Sequence, residues 1–145
     1  MVNQTAMAYF PDLGTESQIA GASFVRAVGW LAAAQPYSVG ETSPEFVEKL
    51  RLMAEQWFAS TSTLGWPVTL GVHICEFCGN VRTGGNFGVP SRSILYVAPE
   101  MISHYVEAHG YKPPDAFINA VLGCPLPDTP EYGRSVHPFI EAGDG

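Results

Sequence analysis

Cys75-Glu76-Phe77-Cys78 and, separated from it by 25 residues, His104-Tyr105-Val106-Glu107-Ala108-His109 carry the side chains of this sequence best suited to chemistry. Two thiolates and two imidazoles are the soft and borderline donors that Zn²⁺ takes in a tetrahedron, and C-x-x-C lets a tight turn aim two sulfurs at one ion. Gly79 follows at once, and glycine tolerates the positive φ that such a knuckle often needs. Histidines five positions apart lie about 140° apart around an ideal helix. Both can reach one ion only where His109 sits at the helix end, which Gly110 would terminate. The expected ligands are therefore Cys75, Cys78, His104 and His109. Four protein ligands close the zinc shell, whereas catalytic zinc keeps a position open for water, so the pattern points to structural Zn²⁺.

Other readings stand beside this one. In a zinc hydrolase, His109 would swing away and Glu107 or Glu100 would activate water in the vacated position. Against it, the helix is neither H-E-x-x-H nor H-x-x-E-H, and the order of thiols and histidines does not fit a zinc deaminase, which needs H-x-E before P-C-x-x-C. A C-x-x-C can also be a thiol redox pair, with the histidines unrelated to it. His73, two residues before Cys75 on a strand, would share its face and could replace one histidine, but its expected place is packed against the site or supporting a ligand. His137 in the tail has a weak case. Cys124 reads as a small buried hydrophobe, since no general base is spaced to serve it. Gly84-Gly85-Asn86-Phe87-Gly88 lacks the Lys and Ser/Thr of a phosphate loop and reads as a hairpin turn.

The elements that must position these ligands are partly visible. Strand and helix are both open for the first segment: the β-branched and aromatic residues favour a strand over Phe24 to Leu31, while the alanines that follow would suit a helix. Ser43-Pro44-Glu45 offers a capping serine, a proline at the first helical position and an acidic first turn, and Phe46, Leu50, Met53 and Trp57 then recur at helical spacing to about Ala59. That face reads as core, and with Phe58 and Trp66 it could include a patch for a partner. After a linker rich in Ser, Thr, Gly and Pro, Val68–Ile74 predicts a strand, Cys75–Asn80 a turn and Ser93–Val97 a further strand. Pro99-Glu100 opens a helix ending at Gly110, and Pro113-Pro114-Asp115 another, with Phe117, Ile118, Val121 and Leu122 on its apolar face. The proline-rich tail from Cys124 is expected to wrap the surface irregularly.

A chain of 145 residues, 46% hydrophobic and 14% charged, fits one globular domain over 1–145 and argues against disorder. Its net charge of −7, with seven scattered Lys and Arg, disfavours nucleic acid and anionic membranes as partners. The opening residues lack the basic and apolar regions of a secretory signal. The longest apolar stretch, Ile19 to Ala34, is interrupted by Arg26 and two glycines and is too short to span a bilayer. Three cysteines are too few and too odd for a disulfide framework. A cytoplasmic location follows as the expectation.

Several stretches resemble a family of uncharacterised bacterial proteins of actinobacterial and myxobacterial type. They are Tyr9-Phe10-Pro11-Asp12-Leu13, Val28-Gly29-Trp30-Leu31, His73-Ile74-Cys75-Glu76-Phe77-Cys78, and His104 to Tyr111 with Pro113-Pro114 and Phe117. The resemblance implies one domain spanning most of the chain, carries over Cys75, Cys78, His104 and His109 as ligands, and implies no catalytic residue. The expected fold is α+β: a small antiparallel sheet and a zinc-knuckle hairpin packed on helices, with a treble-clef-like zinc module over about residues 68–122. The expected function is non-enzymatic, a zinc-stabilised module that binds another protein or serves as an accessory factor of immunity type. The alternatives are a zinc hydrolase with an open coordination position and a C-x-x-C redox protein.

Overall fold

A computed structural model describes residues 9–14, 24–64, 73–83 and 85–144, with the side chains of 58–64, 73 and 141–144 outside the description. The expected strand residues Val68 to Val72, the linker with Trp66 and the first glycine of the Gly84-Gly85 turn lie outside the described residues. The elements run β1 (Val25–Ala27), α1 (Pro44–Leu64), β2 (His73–Ile74), β3 (Arg82–Thr83), β4 (Asn86–Ser91), β5 (Ile94–Pro99), α2 (Ile102–His109), α3 (Asp115–Gly123) and α4 (Pro130–Asp144).

The class is α+β, but the three-stranded sheet is mixed rather than antiparallel, in the order β1-β5-β4. β4 and β5 form an antiparallel hairpin, whereas β1 runs parallel to β5 with Val25 opposite Leu95 and Ala27 opposite Val97. Parallel neighbours need a long crossover, and the chain supplies one by placing α1 between β1 and the hairpin. A separate two-stranded ladder, β2-β3, carries the cysteine turn.

α1 begins where the sequence predicts, with the Ser43 hydroxyl accepting the Phe46 N–H at 3.2 Å. It runs on to Leu64, beyond the expected Ala59. Phe46, Leu50, Met53 and Trp57 are buried, as their spacing requires. Phe46 meets Phe117 of α3 edge to face, and Phe117 meets Tyr96 of β5 in the same manner. Leu122, expected on the apolar face of α3, is instead exposed, and Phe117 and Val121 carry that helix's burial.

Four further expectations are corrected. The strand expected over Phe24–Leu31 is regular only over Val25–Ala27, because Gly29 at φ +83° turns the chain. Asn86, Phe87 and Gly88 of the glycine cluster lie within β4 and not in a turn, and the β4-β5 turn falls at Arg92, which has φ 55°. Pro90 is tolerated because β4 is an edge strand of its sheet. Pro99 ends β5 instead of opening α2, which starts at Ile102. The tail is helical as well. Thr129 Oγ1 accepts the Tyr132 N–H at 3.3 Å, Pro130 takes the first helical position, and α4 buries Tyr132 and Val136 completely. The Tyr132 hydroxyl donates to the Gly88 carbonyl, fastening α4 to β4.

The segment 10–14 is laced to the β1 region. Leu13 N–H donates to the Ala27 carbonyl at 2.7 Å and Ala27 N–H to the Gly14 carbonyl at 2.8 Å. Phe10 packs its ring edge to face with Trp30 at 5.4 Å, and the Trp30 indole donates to the Val97 carbonyl at 2.9 Å. Asp12 joins three regions: one carboxylate oxygen accepts the Gly29 N–H at 3.0 Å and the other accepts the Tyr111 hydroxyl at 2.7 Å. No helix among the described residues is long and apolar enough to cross a membrane.

A Cβ at Gly29 would come within 2.6 Å of Ile102 Cδ1, on a backbone that L side chains rarely adopt. Gly29→Ala should therefore cost roughly 2 kcal/mol, read as a lower denaturant midpoint at unchanged slope. A second prediction concerns alkali. Burial first, with the Asp12 carboxylate at Tyr111 and the neighbouring thiols and Glu76 at Tyr105, pushes the phenols of Tyr105, Tyr111 and Tyr132 well above the usual range. The folded chain keeps protons that the unfolded chain releases near pH ~10, so stability is present below that pH and falls as pH rises through and beyond it. Denaturant midpoints measured from about pH 8 to about pH 11 should decline accordingly.

Candidate metal centre

The C-x-x-C turn is built by its own backbone. Cys75 N–H donates across the ladder to the Val81 carbonyl at 3.0 Å, and Gly79 N–H returns to the Cys75 carbonyl at 2.7 Å. Gly79 takes φ +68°, the left-handed conformation expected of it. Backbone N–H groups of Phe77 and Cys78 donate to the Cys75 sulfur. Burial pushes the Cys75 thiol up from its ordinary range, and these two donors oppose that shift by favouring the thiolate.

α2 supplies the other two ligand candidates. His109 is its last residue, and Gly110 caps it at φ 66° with its N–H donating to the Tyr105 carbonyl. The ideal angular separation of His104 and His109 is overcome at this helix end: their Nε2 atoms lie 3.2 Å apart. Cys75 Sγ is 3.3 Å from His109 Nε2, and Cys78 Sγ is 3.4 Å from His104 Nε2. The ligand atoms of Cys75, Cys78, His104 and His109 all lie within 4.8 Å of one another, close enough to hold a metal ion. Burial, and then the neighbouring His109, lowers the His104 pKa, which keeps its imidazole neutral and its lone pair available.

Phe77 anchors the turn. Its ring packs against Tyr37 at 5.2 Å, His109 at 5.2 Å and Tyr105 at 5.9 Å. The Tyr37 hydroxyl donates to the His109 carbonyl at 2.9 Å, and the Glu76 carboxylate accepts the Ala33 N–H at 2.7 Å. The loop after Trp30 is thus tied both to the cysteine turn and to the end of α2. Sequence reasoning missed Phe77, Tyr37 and Glu76, although an aromatic residue between two cysteines is a signal that the turn is pinned on its apolar side.

The remaining candidates fall elsewhere. His137 lies in α4, outside the cluster, and the His73 side chain lies outside the description. Glu107 is exposed on α2, and Glu100 sits in the turn before it, its N–H donating to the Gly85 carbonyl at 2.9 Å. Cys124 is 5% exposed and lies outside the cluster, as a buried hydrophobe would.

Residues 8–122 match DUF7919, a domain of unknown function. The chain belongs to the DUF7919 family. That match takes in all four residues of the cluster and the Asp12, Gly29 and Tyr111 junction, and it stops before α4. It accords with the resemblance to an uncharacterised family. No curated protein and no solved structure matches this DUF7919 chain.

Burial pushes the Cys124 thiol up to about 11, so at neutral pH its thiolate fraction is of the order of 10⁻⁴. In the folded protein, with no chelator added, Cys124 should stay unmodified by alkylating reagent until denaturant is added, and any thiol labelled before that point should be Cys78. Peptide mass mapping reads the order, and early labelling of Cys124 would contradict this burial.

Proposed function

We propose that the chain is a bacterial, zinc-stabilised, non-enzymatic module that binds another protein, an accessory factor of immunity type, with Zn²⁺ held by Cys75, Cys78, His104 and His109. The supporting observation is the spacing of the four donor atoms. With Zn–N near 2.05 Å and Zn–S near 2.3 Å, tetrahedral edges are about 3.3 Å for N···N and about 3.6 Å for S···N. The separations of 3.2, 3.3 and 3.4 Å lie within a few tenths of an ångström of these edges. Two thiolates balance the ion's charge, which suits a site with one buried sulfur.

His109 favours this reading over a hydrolase, because its Nε2, 3.2 Å from that of His104, would fill the fourth position where a reactive water would stand. The order of knuckle, β4-β5 hairpin and ligand-bearing helix supports the treble-clef-like reading of this module. On this reading zinc contributes folding free energy, on the order of 10 kcal/mol for comparable small sites. The acidic balance of the chain supports a protein partner over nucleic acid or anionic membrane.

The test is elemental analysis of untagged protein purified without added metal or chelator, beside His104→Ala. About one zinc per chain is expected, with weakened retention in the variant and a lowered melting temperature after chelation. A folded, zinc-free wild type would overturn the reading. Zinc retained alongside an exchangeable water ligand and hydrolytic turnover would move it to the hydrolase class.

A further inference from the structure

The two cysteines of the cluster differ in burial. Cys75 is 0% exposed, while Cys78 stands at the surface. Their Sγ atoms nevertheless lie within 4.8 Å of each other, on the same turn. A thiolate bound to zinc retains lone pairs, and oxidants reach it where solvent does. The third thiol, Cys124, is buried outside the cluster and offers no competing partner there.

We propose that the centre is also a site of oxidative modification: the Cys78 thiolate attacks a peroxide, Cys75 resolves the product, and the resulting disulfide expels the metal. The inference rests on the zinc reading above. In the first step the Cys78 sulfur gives an electron pair to one peroxide oxygen, the O–O bond breaks, hydroxide leaves and a sulfenic acid remains. In the second, the Cys75 thiolate attacks that sulfur, a second hydroxide leaves and the S–S bond forms. Two thiolates lose two electrons in total, the peroxide gains them, and Zn²⁺ keeps its oxidation state while losing two of its four donors.

The surroundings give the event a structural readout. The ion would be the tie between the β2-β3 hairpin and α2, with Phe77 seated among Tyr37, Tyr105 and His109 beside it. Losing the ion leaves the turn's own backbone hydrogen bonds, those aromatic contacts and the hydrogen bond from the Ala33 N–H to the Glu76 carboxylate to hold the turn. A thiol reductant with added zinc would restore the original centre.

The experiment starts from purified protein whose zinc content has been measured, titrates hydrogen peroxide, follows released zinc with a chromophoric chelator and maps the thiols by mass spectrometry. The expected result is one zinc released per Cys75–Cys78 disulfide, Cys124 still a thiol, and recovery with dithiothreitol plus zinc. Cys78→His keeps four donors but removes one sulfur, so it should hold its zinc and release it at least about tenfold more slowly under peroxide. Should that variant fail to fold, the wild-type thiol map decides alone. Zinc and both thiols retained at peroxide concentrations that oxidise glutathione would overturn the proposal, as would sulfonic acid at Cys78 without a disulfide. Absence of zinc before peroxide is added is a different result, which removes the zinc reading and this inference with it.

Discussion

Two imidazole nitrogens 3.2 Å apart, each within 3.4 Å of a sulfur, form a knot of lone pairs that only protons or a cation can hold together. That knot joins parts of the chain which secondary structure alone would leave separate. The β2-β3 ladder is two residues long on each strand, far too little to be stable by itself. α2 has eight residues, again short of what an isolated helix needs. Bringing Cys75 and Cys78 against His104 and His109 makes each short element a support for the other.

The scaffold around the knot fixes where α2 ends, which matters because His109 is its last residue. Tyr111, two residues later, is fully buried and hydrogen-bonded to Asp12, and Asp12 in turn holds the Gly29 amide beside Ile102 of the same helix. Both ends of α2 are therefore registered on the loop following β1. Tyr37, reaching from the same loop to the His109 carbonyl, adds a third point of attachment. A chain of hydrogen bonds and close packing thus runs from segment 10–14 to the metal-type ligands, although no residue of that segment belongs to the cluster.

The parts legible in the sequence were those with a local physical signature. Ser43-Pro44 with its helical apolar spacing located the start and face of α1, and the pair of donor motifs led to four side chains that the fold does bring together. Hidden parts depended on partners remote in sequence. β4 contains Gly88 and Pro90, residues that ordinarily speak against a strand, and it is held as one by pairing with β5 and by its place at the sheet edge. The parallel pairing of β1 followed from a crossover through α1, which no local pattern reveals. α4 was obscured by prolines that fall at its start, where proline is favoured, and at Pro138 within it. Asp12 looked like one residue of a short motif, and its role emerged only from the folded positions of Gly29 and Tyr111.

The family match ends at residue 122, yet Tyr132 and Val136 of α4 are wholly enclosed and Tyr132 is bonded to the β4 backbone. The span that the family match covers is therefore shorter than the span that packs together here. A fragment cut at that recognised limit would bare the β4 surface and leave the Gly88 carbonyl to water in place of the Tyr132 hydroxyl. In this chain the cover of that edge strand is thus supplied by a helix that the family match does not reach.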